Sequence, residues 1–227
     1  GLEAYYAAIR ATAAQINSHH EKQAFLKVIY ENFYKVYNPK AADRLGVVYT
    51  PNEIVRFMIE SADWLCEKHF GRNLIDPQVE ILDPATGTGT FICELLEHFR
   101  GQPKKLKHKY QEELHANEVA ILPYYVANLN IEATYQAITG EYLEFPSLCF
   151  VDTLDNVEGL RKYKGHQHGL FGSVSEENVE RIRRQNLRKI SVVIGNPPYN
   201  ANQLNENENN KNREYPDIDK RIKETYI

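Results

Sequence analysis

Asp83-Pro84-Ala85-Thr86-Gly87-Thr88-Gly89-Thr90-Phe91 lies between a short apolar run, Val79 to Leu82, and a helical stretch near Thr90 to Phe99. A strand that ends in an acid, turns on two glycines and opens a helix lets the backbone approach a ligand closely. The start of that helix offers unpaired N–H groups to a carboxylate or phosphate. A dinucleotide fingerprint needs a third glycine where Ile92 stands, and no Gly-Lys-Ser/Thr follows for a phosphate loop, so both of those readings weaken. A plain tight turn remains the structural alternative.

Outward from this turn the pattern repeats. Apolar runs at Leu114 to Asn117, Leu148 to Val151 and Ile190 to Gly195 alternate with helical stretches near Val119 to Tyr135 and Glu176 to Gln185. Alternation of this kind predicts an α/β fold with a largely parallel sheet covered on both faces. Ligands in such folds bind beyond the carboxyl ends of the strands. The polar residues expected there are Asp83, Glu118, Asp152 and Asn196. An acid at Asp83 suits a ligand that carries an ammonium group, and S-adenosylmethionine presents an ammonium beside a carboxylate. Glu118 is placed like the acid that takes ribose hydroxyls in nucleoside-binding α/β folds, with a solvated surface glutamate as the alternative.

Val193-Ile194-Gly195-Asn196-Pro197-Pro198-Tyr199 ends the fourth run. Two prolines stop the strand and set an Asn and a Tyr at its mouth. Structure alone would make this a stiff turn. Its chemistry suits methylation of a planar amine, whose lone pair is delocalised and poorly nucleophilic. The Asn196 side-chain oxygen and the Pro197 carbonyl can accept the two N–H bonds and draw the nitrogen toward tetrahedral geometry, with no strong general base. Tyr199 supplies a face on which an extruded base can stack. The motif fits any planar amine or amide and does not separate adenine from a glutamine side chain.

Composition bounds the classes. The 227 residues are 42% hydrophobic and 26% charged, enough for one good-sized domain with a flanking element. No apolar run approaches the ~20 residues of a membrane span, so a cytoplasmic chain without membrane contact is expected. Cys66, Cys93 and Cys149 lack CxxC spacing and read as reduced thiols. His19-His20 and His166-Gln167-His168 have no carboxylate or cysteine at ligand spacing, and no metal site is expected. A net charge of −4 argues against bulk electrostatic grip on nucleic acid. Lys104, Lys105, Lys107 and Lys109, and likewise Arg181, Arg183, Arg184 and Arg188, read as solvated charged faces before they read as phosphate contacts.

Residues 1–43 form a helical lead-in, with Phe25, Ile29, Phe33, Val36 and Tyr37 near one side of a helix. Thr50-Pro51-Asn52-Glu53 predicts a capping box, Thr50 as N-cap and Pro51 at the first helical position, opening a helix to about His69. Residues 44–199 make the core. Seven asparagines among the thirteen residues from Asn200 to Asn212 carry no apolar period, so residues 200–227 are expected as loop or disorder.

Taken together, these motifs resemble those of the amino-methyltransferases that act on adenine N6 in DNA. Asp83 to Phe91 is similar to the family's first cofactor motif, which implies that Asp83, Pro84, Ala85, Thr86, Gly87 and Gly89 bind S-adenosyl-L-methionine. Glu118 with Val119 resembles its ribose-binding position, Asp152 with Thr153 its adenine-binding position, and Asn196 to Tyr199 its catalytic motif. Tyr49, Thr50 and Pro51, in Gly46-Val47-Val48-Tyr49-Thr50-Pro51, resemble the family's extra cofactor motif. Here it precedes the glycine turn, as in the subgroup whose target-recognition domain comes last.

The lead-in and Arg44 to Pro51 further resemble the coupler and methylase start of large single-chain restriction-modification enzymes. The resemblance implies a Rossmann-like core and double-stranded DNA as substrate, with nuclease or translocase domains on the same polypeptide. The residues after Tyr199 leave no room for the family's later strands, its base-clamping motif or its recognition domain. A core truncated after about four strands is therefore expected, inactive in isolation. Methylation of a protein glutamine, or a non-catalytic cofactor-binding or coupling role, are the other two readings.

Overall fold

The computed structural model describes residues 50–156, 176–197 and 215–226, with Ala7 and Ala11 in helical conformation. The rest of the lead-in, Tyr49, Pro198, Tyr199 and the asparagine-rich stretch lie outside the described residues. Four strands, β1 Glu80–Asp83, β2 Leu114–Glu118, β3 Leu148–Phe150 and β4 Ile190–Val193, form one parallel sheet in the order β3-β2-β1-β4. The expected strands are each found within a residue or two of their sequence bounds. Each parallel pair needs a crossover, which the segments between the strands supply.

Helix α1, Asn52–Phe70, and helix α2, Thr90–His98, pack on each other, and α2 also packs on α4, Ile121–Thr139. The core between helices and sheet contains Val55, Ile59, Ile81, Ile92, Leu95 and Leu114, all at most 1% exposed. Glu94 of α2 is buried in this layer, and Arg56 and Asn52 of α1 each bond to it at 2.8 Å. A buried carboxylate is tolerable only when paired in this way. The pairing fixes the start of α1 against the start of α2, the two helix ends nearest the glycine turn.

The expected capping box does not form. Helix α1 begins one residue later than the sequence suggests, with Pro51 (φ −55, ψ 141) as the flanking residue whose carbonyl accepts from Ile54 and Val55. Asn52 turns to Glu94, and no side chain caps the backbone.

The lysine-rich stretch is the short helix α3, Pro103–His108, continued by one wider π turn, Lys109–Glu113. Lys104, Lys105 and Lys107 are exposed, as a solvated charged face requires, and Lys109 departs from it. Lys105 pairs with Asp76 at 2.7 Å and Lys107 with Glu141 at 3.1 Å. Lys109 is fully buried, paired with Glu113 and donating to the carbonyls of Asp76 and Val79. The arginines of helix α5, Glu176–Asn186, and of the turn after it also have local partners: Arg181 reaches Tyr124 and Glu177, Arg183 Glu180, Arg184 the Pro146 carbonyl, and Arg188 Glu80 and Glu112.

In the tail expected as loop, Pro216–Tyr226 is a helix, α6. Pro216 and the acids Asp217 and Asp219 in its first turn suit a helix start. The asparagine-rich stretch before it masks that signal in the sequence. Among the described residues no helix is long and apolar enough to cross a membrane, and no group of His, Cys, Asp or Glu side chains can hold a metal ion.

Candidate functional site

The carboxyl ends of the strands meet around the turn Asp83 to Gly89. Asp83, the last residue of β1, is fully buried. Its Oδ1 accepts from the Ala85 N–H at 3.2 Å, while its Oδ2 has no hydrogen-bond partner among the described residues. Burial pushes this carboxyl up to about 7, against the pull of the Ala85 N–H and the Thr86 hydroxyl, and the charge of Glu118 adds to the rise. Asn117 Oδ1 is likewise buried without a partner among the described residues.

Gly87 takes φ +56, and nothing lies within 4 Å of where a side chain would start, so its backbone faces open space. Gly89, at φ +87, packs instead against Ala127 and Ile131 of α4. The turn is held from β2 by two bonds: Thr86 N–H to the Asn117 carbonyl at 2.9 Å, and Gly87 N–H to Glu118 Oε2 at 2.8 Å. Glu118 Oε1 accepts from the Ala120 N–H, beyond Val119. Burial raises the Glu118 carboxyl to about 7 although the backbone N–H bonds of Ala120, Gly87 and Val119 oppose it. Three N–H bonds on a carboxylate with about four acceptor sites leave it about one more.

From β3, Thr153 donates to the Pro84 carbonyl at 2.7 Å and accepts from Asn117 Nδ2 at 3.0 Å. Asp152 accepts from the Leu154 N–H and, at 3.1 Å, from the Tyr215 hydroxyl just before α6. From β4, Gly195 lies so close to Asp83 that a Cβ on it would stand 2.5 Å from Oδ1. The next residue, Asn196, donates from Nδ2 to Thr50 Oγ1 at 2.9 Å.

The structure thus brings Thr50, Asp83 to Gly87, Glu118, Thr153 and Asn196 to one rim, with Asp152 at its β3 side. Three members were not singled out as site residues from sequence. Gly195 is one, and its only signal is a small residue between a strand and a proline pair. Asn117 sits inside a strand run and reads as ordinary. Tyr215 follows a stretch with no periodic pattern, and nothing local points to Asp152.

The family model "N-6 DNA Methylase" matches residues 21–225. The cryo-EM structure of a DrdV–DNA complex is 62% identical over 99% of this chain, with a TM-score of 0.87. The ATP-dependent Type ISP restriction-modification enzyme LlaBIII bound to DNA is 33% identical over the whole chain, with a TM-score of 0.82. A nuclease-deletion mutant of the Type ISP enzyme LlaGI with a DNA substrate mimic is 36% identical, also over the whole chain, with a TM-score of 0.80. The chain spans 21%, 15% and 18% of those three chains respectively. No curated protein matches it. On a family model that covers most of its length and relatives of this identity, the chain belongs to the N-6 DNA methylase family.

Proposed function

We propose that the chain is the methylase region of a restriction-modification enzyme and transfers a methyl group from S-adenosyl-L-methionine to the N6 amine of adenine in double-stranded DNA. The observation that carries this is the close approach of Gly195, which leads into Asn196-Pro197, to Asp83 and Pro84 at the start of the glycine turn. An acceptor for amine N–H bonds and a cradle for a charged small molecule are otherwise 107 residues apart or more. That three similar structures are complexes with DNA or a DNA mimic supports the substrate.

The residues present fit the methyl donor. Asp83 Oδ2 is a buried carboxylate oxygen without a partner, which an ammonium would satisfy, and Gly87 leaves its backbone open to a ligand. Asp83 would hold the ammonium, the remaining acceptor site of Glu118 a ribose hydroxyl, and Asp152 the adenine amine. Bound there, the donor supplies an electrophilic methyl on a sulfonium. The chain's own work is positional. Asn196 Oδ1 and the Pro197 carbonyl accept the two N–H bonds of the target amine, which pulls electron density from the ring back to the nitrogen. Transfer then needs alignment and no strong base. Tyr199 stacks on the extruded base.

The test is incorporation of labelled methyl into adenine-containing duplexes by the full-length protein and its Asn196→Ala variant. A loss of about 10²–10³ in rate, with donor affinity nearly unchanged, is expected. Equal rates for the two proteins, or labelling of a glutamine peptide in preference to DNA, would sink the proposal.

A further inference from the structure

Asn196 and Thr50 are 146 positions apart in sequence, yet their side chains share a 2.9 Å hydrogen bond with Asn196 Nδ2 as donor. The start of α1 does not use the Thr50 hydroxyl, since the Pro51 carbonyl supplies the first acceptor. We propose that Thr50 is a positioning residue for methyl transfer: by accepting from Nδ2, it leaves Oδ1 of the Asn196 amide turned toward the incoming amine. The inference rests on the role given to Asn196 above.

The physical need is specific. The terminal torsion of an asparagine is broad and roughly two-fold, so the amide can present either end. One end accepts, and the other carries two donors. A target amine offers N–H bonds, so the reversed amide would set donors against donors. A hydroxyl can donate as well as accept, so Thr50 anchors the amide in place, and with Nδ2 on its oxygen at 2.9 Å the anchored orientation is the productive one.

The oxygen is also well fixed. Thr50 precedes Pro51, whose ring locks φ, and α1 is tied to α2 by Asn52 and Arg56 on Glu94. On the other side, Gly195 lies against Asp83 and Pro84, so the backbone leading into Asn196 has little freedom. This role differs from contact with the methyl donor, the function that sequence resemblance assigns to Thr50.

Four variants of the full-length protein separate the roles: Thr50→Val, Thr50→Ser, Asn196→Ala and the double Thr50→Val/Asn196→Ala. Thr50→Val should lower kcat ten- to a hundredfold, as a misplaced reacting group does. Its dissociation constant for the methyl donor, read by calorimetry, should change less than threefold. Thr50→Ser keeps the oxygen and should recover most of the rate. The double variant should be no slower than Asn196→Ala, since Thr50 acts only through the amide.

Thr50→Val with wild-type kcat overturns the proposal, as does weaker donor binding at unchanged kcat, or losses that multiply in the double variant. Should Thr50→Val fold poorly by circular dichroism, Thr50→Ala against Thr50→Ser gives the same comparison. A fully active Asn196→Ala removes the functional reading itself, whereas an impaired Asn196→Ala beside a fully active Thr50→Val removes only this inference.

Discussion

Asp83 and Gly195 meet where β1 and β4 end, and the contact sets a steric condition on the site. A methyl group at position 195 would stand 2.5 Å from Asp83 Oδ1 and 3.1 Å from Pro84 Cδ, too close for either to stay. Gly195→Ala should therefore destabilise the fold by about 1–3 kcal/mol, as overpacking of a filled site does. It should also weaken methyl-donor binding by moving Asp83. Chemical denaturation with calorimetry checks both, and an unchanged Gly195→Ala on both counts would show that the two strand ends are free to separate.

Asp83 and Glu118 carry a second consequence. Both carboxyls are raised to about 7 by burial, so the folded state holds protons that the unfolded chain has released. For an acid raised on folding, stability is highest below the unfolded pKa near 4 and falls as pH rises toward 7. At about 1.4 kcal/mol per pKa unit, the two together should lower stability by several kcal/mol between pH 4 and pH 8. Asp83→Asn should flatten part of that fall, as read in the urea midpoint across pH. A methyl donor whose ammonium meets Asp83 should oppose it, and its binding near pH 7 should release protons.

Among the elements, the four strands and helices α2, α4 and α5 between them were legible because each carries a continuous apolar run or a helical period. The glycine turn was legible because acid, glycines and helix start stand in one short stretch. The pieces that were not legible depend on partners far away in sequence. Thr50 looks like a helix cap from its neighbours alone, and its partner is Asn196. The lysine-rich stretch shows no apolar period, yet it is ordered by Asp76, Glu141 and the buried Glu113. Burial depresses the Lys109 ammonium, while Glu113 pulls the other way. Removing one member of such a pair strands a buried charge, so Lys109→Ala should cost about 3–5 kcal/mol. Replacing both, Lys109→Met with Glu113→Leu, should recover part of it, limited by the Gln78 N–H that Glu113 accepts at 2.6 Å. Denaturant midpoints of the single and double variants decide; a Lys109→Ala protein of wild-type stability would mean the site hydrates freely.

At the scale of the whole molecule, the question is how strongly a chain of net charge −4 meets a polyanion. Long-range attraction to DNA comes from unneutralised Lys and Arg, and each phosphate contact adds nearly one unit to the salt slope. Here the two basic stretches face acids of their own: Lys105 and Lys107 on Asp76 and Glu141, Arg181 and Arg188 on Glu177, Glu80 and Glu112. Exposed pairs of this kind are worth about 1 kcal/mol or less and can open, so they do not forbid a contact. Among the described residues they weaken the positive field that would draw a duplex in from a distance. The 227-residue chain should therefore bind a 20-base-pair duplex no tighter than about 100 μM at 0.15 M salt, the weak end of non-specific binding. Its salt slope should stay well below that of a protein with six phosphate contacts. Base-specific grip would have to come from groove contacts, whereas the Asn196-Pro197 acceptors engage an amine already out of the stack. Fluorescence anisotropy from 50 to 200 mM salt measures both quantities, and nanomolar affinity with a steep slope would show a basic surface that the pairing of these side chains conceals.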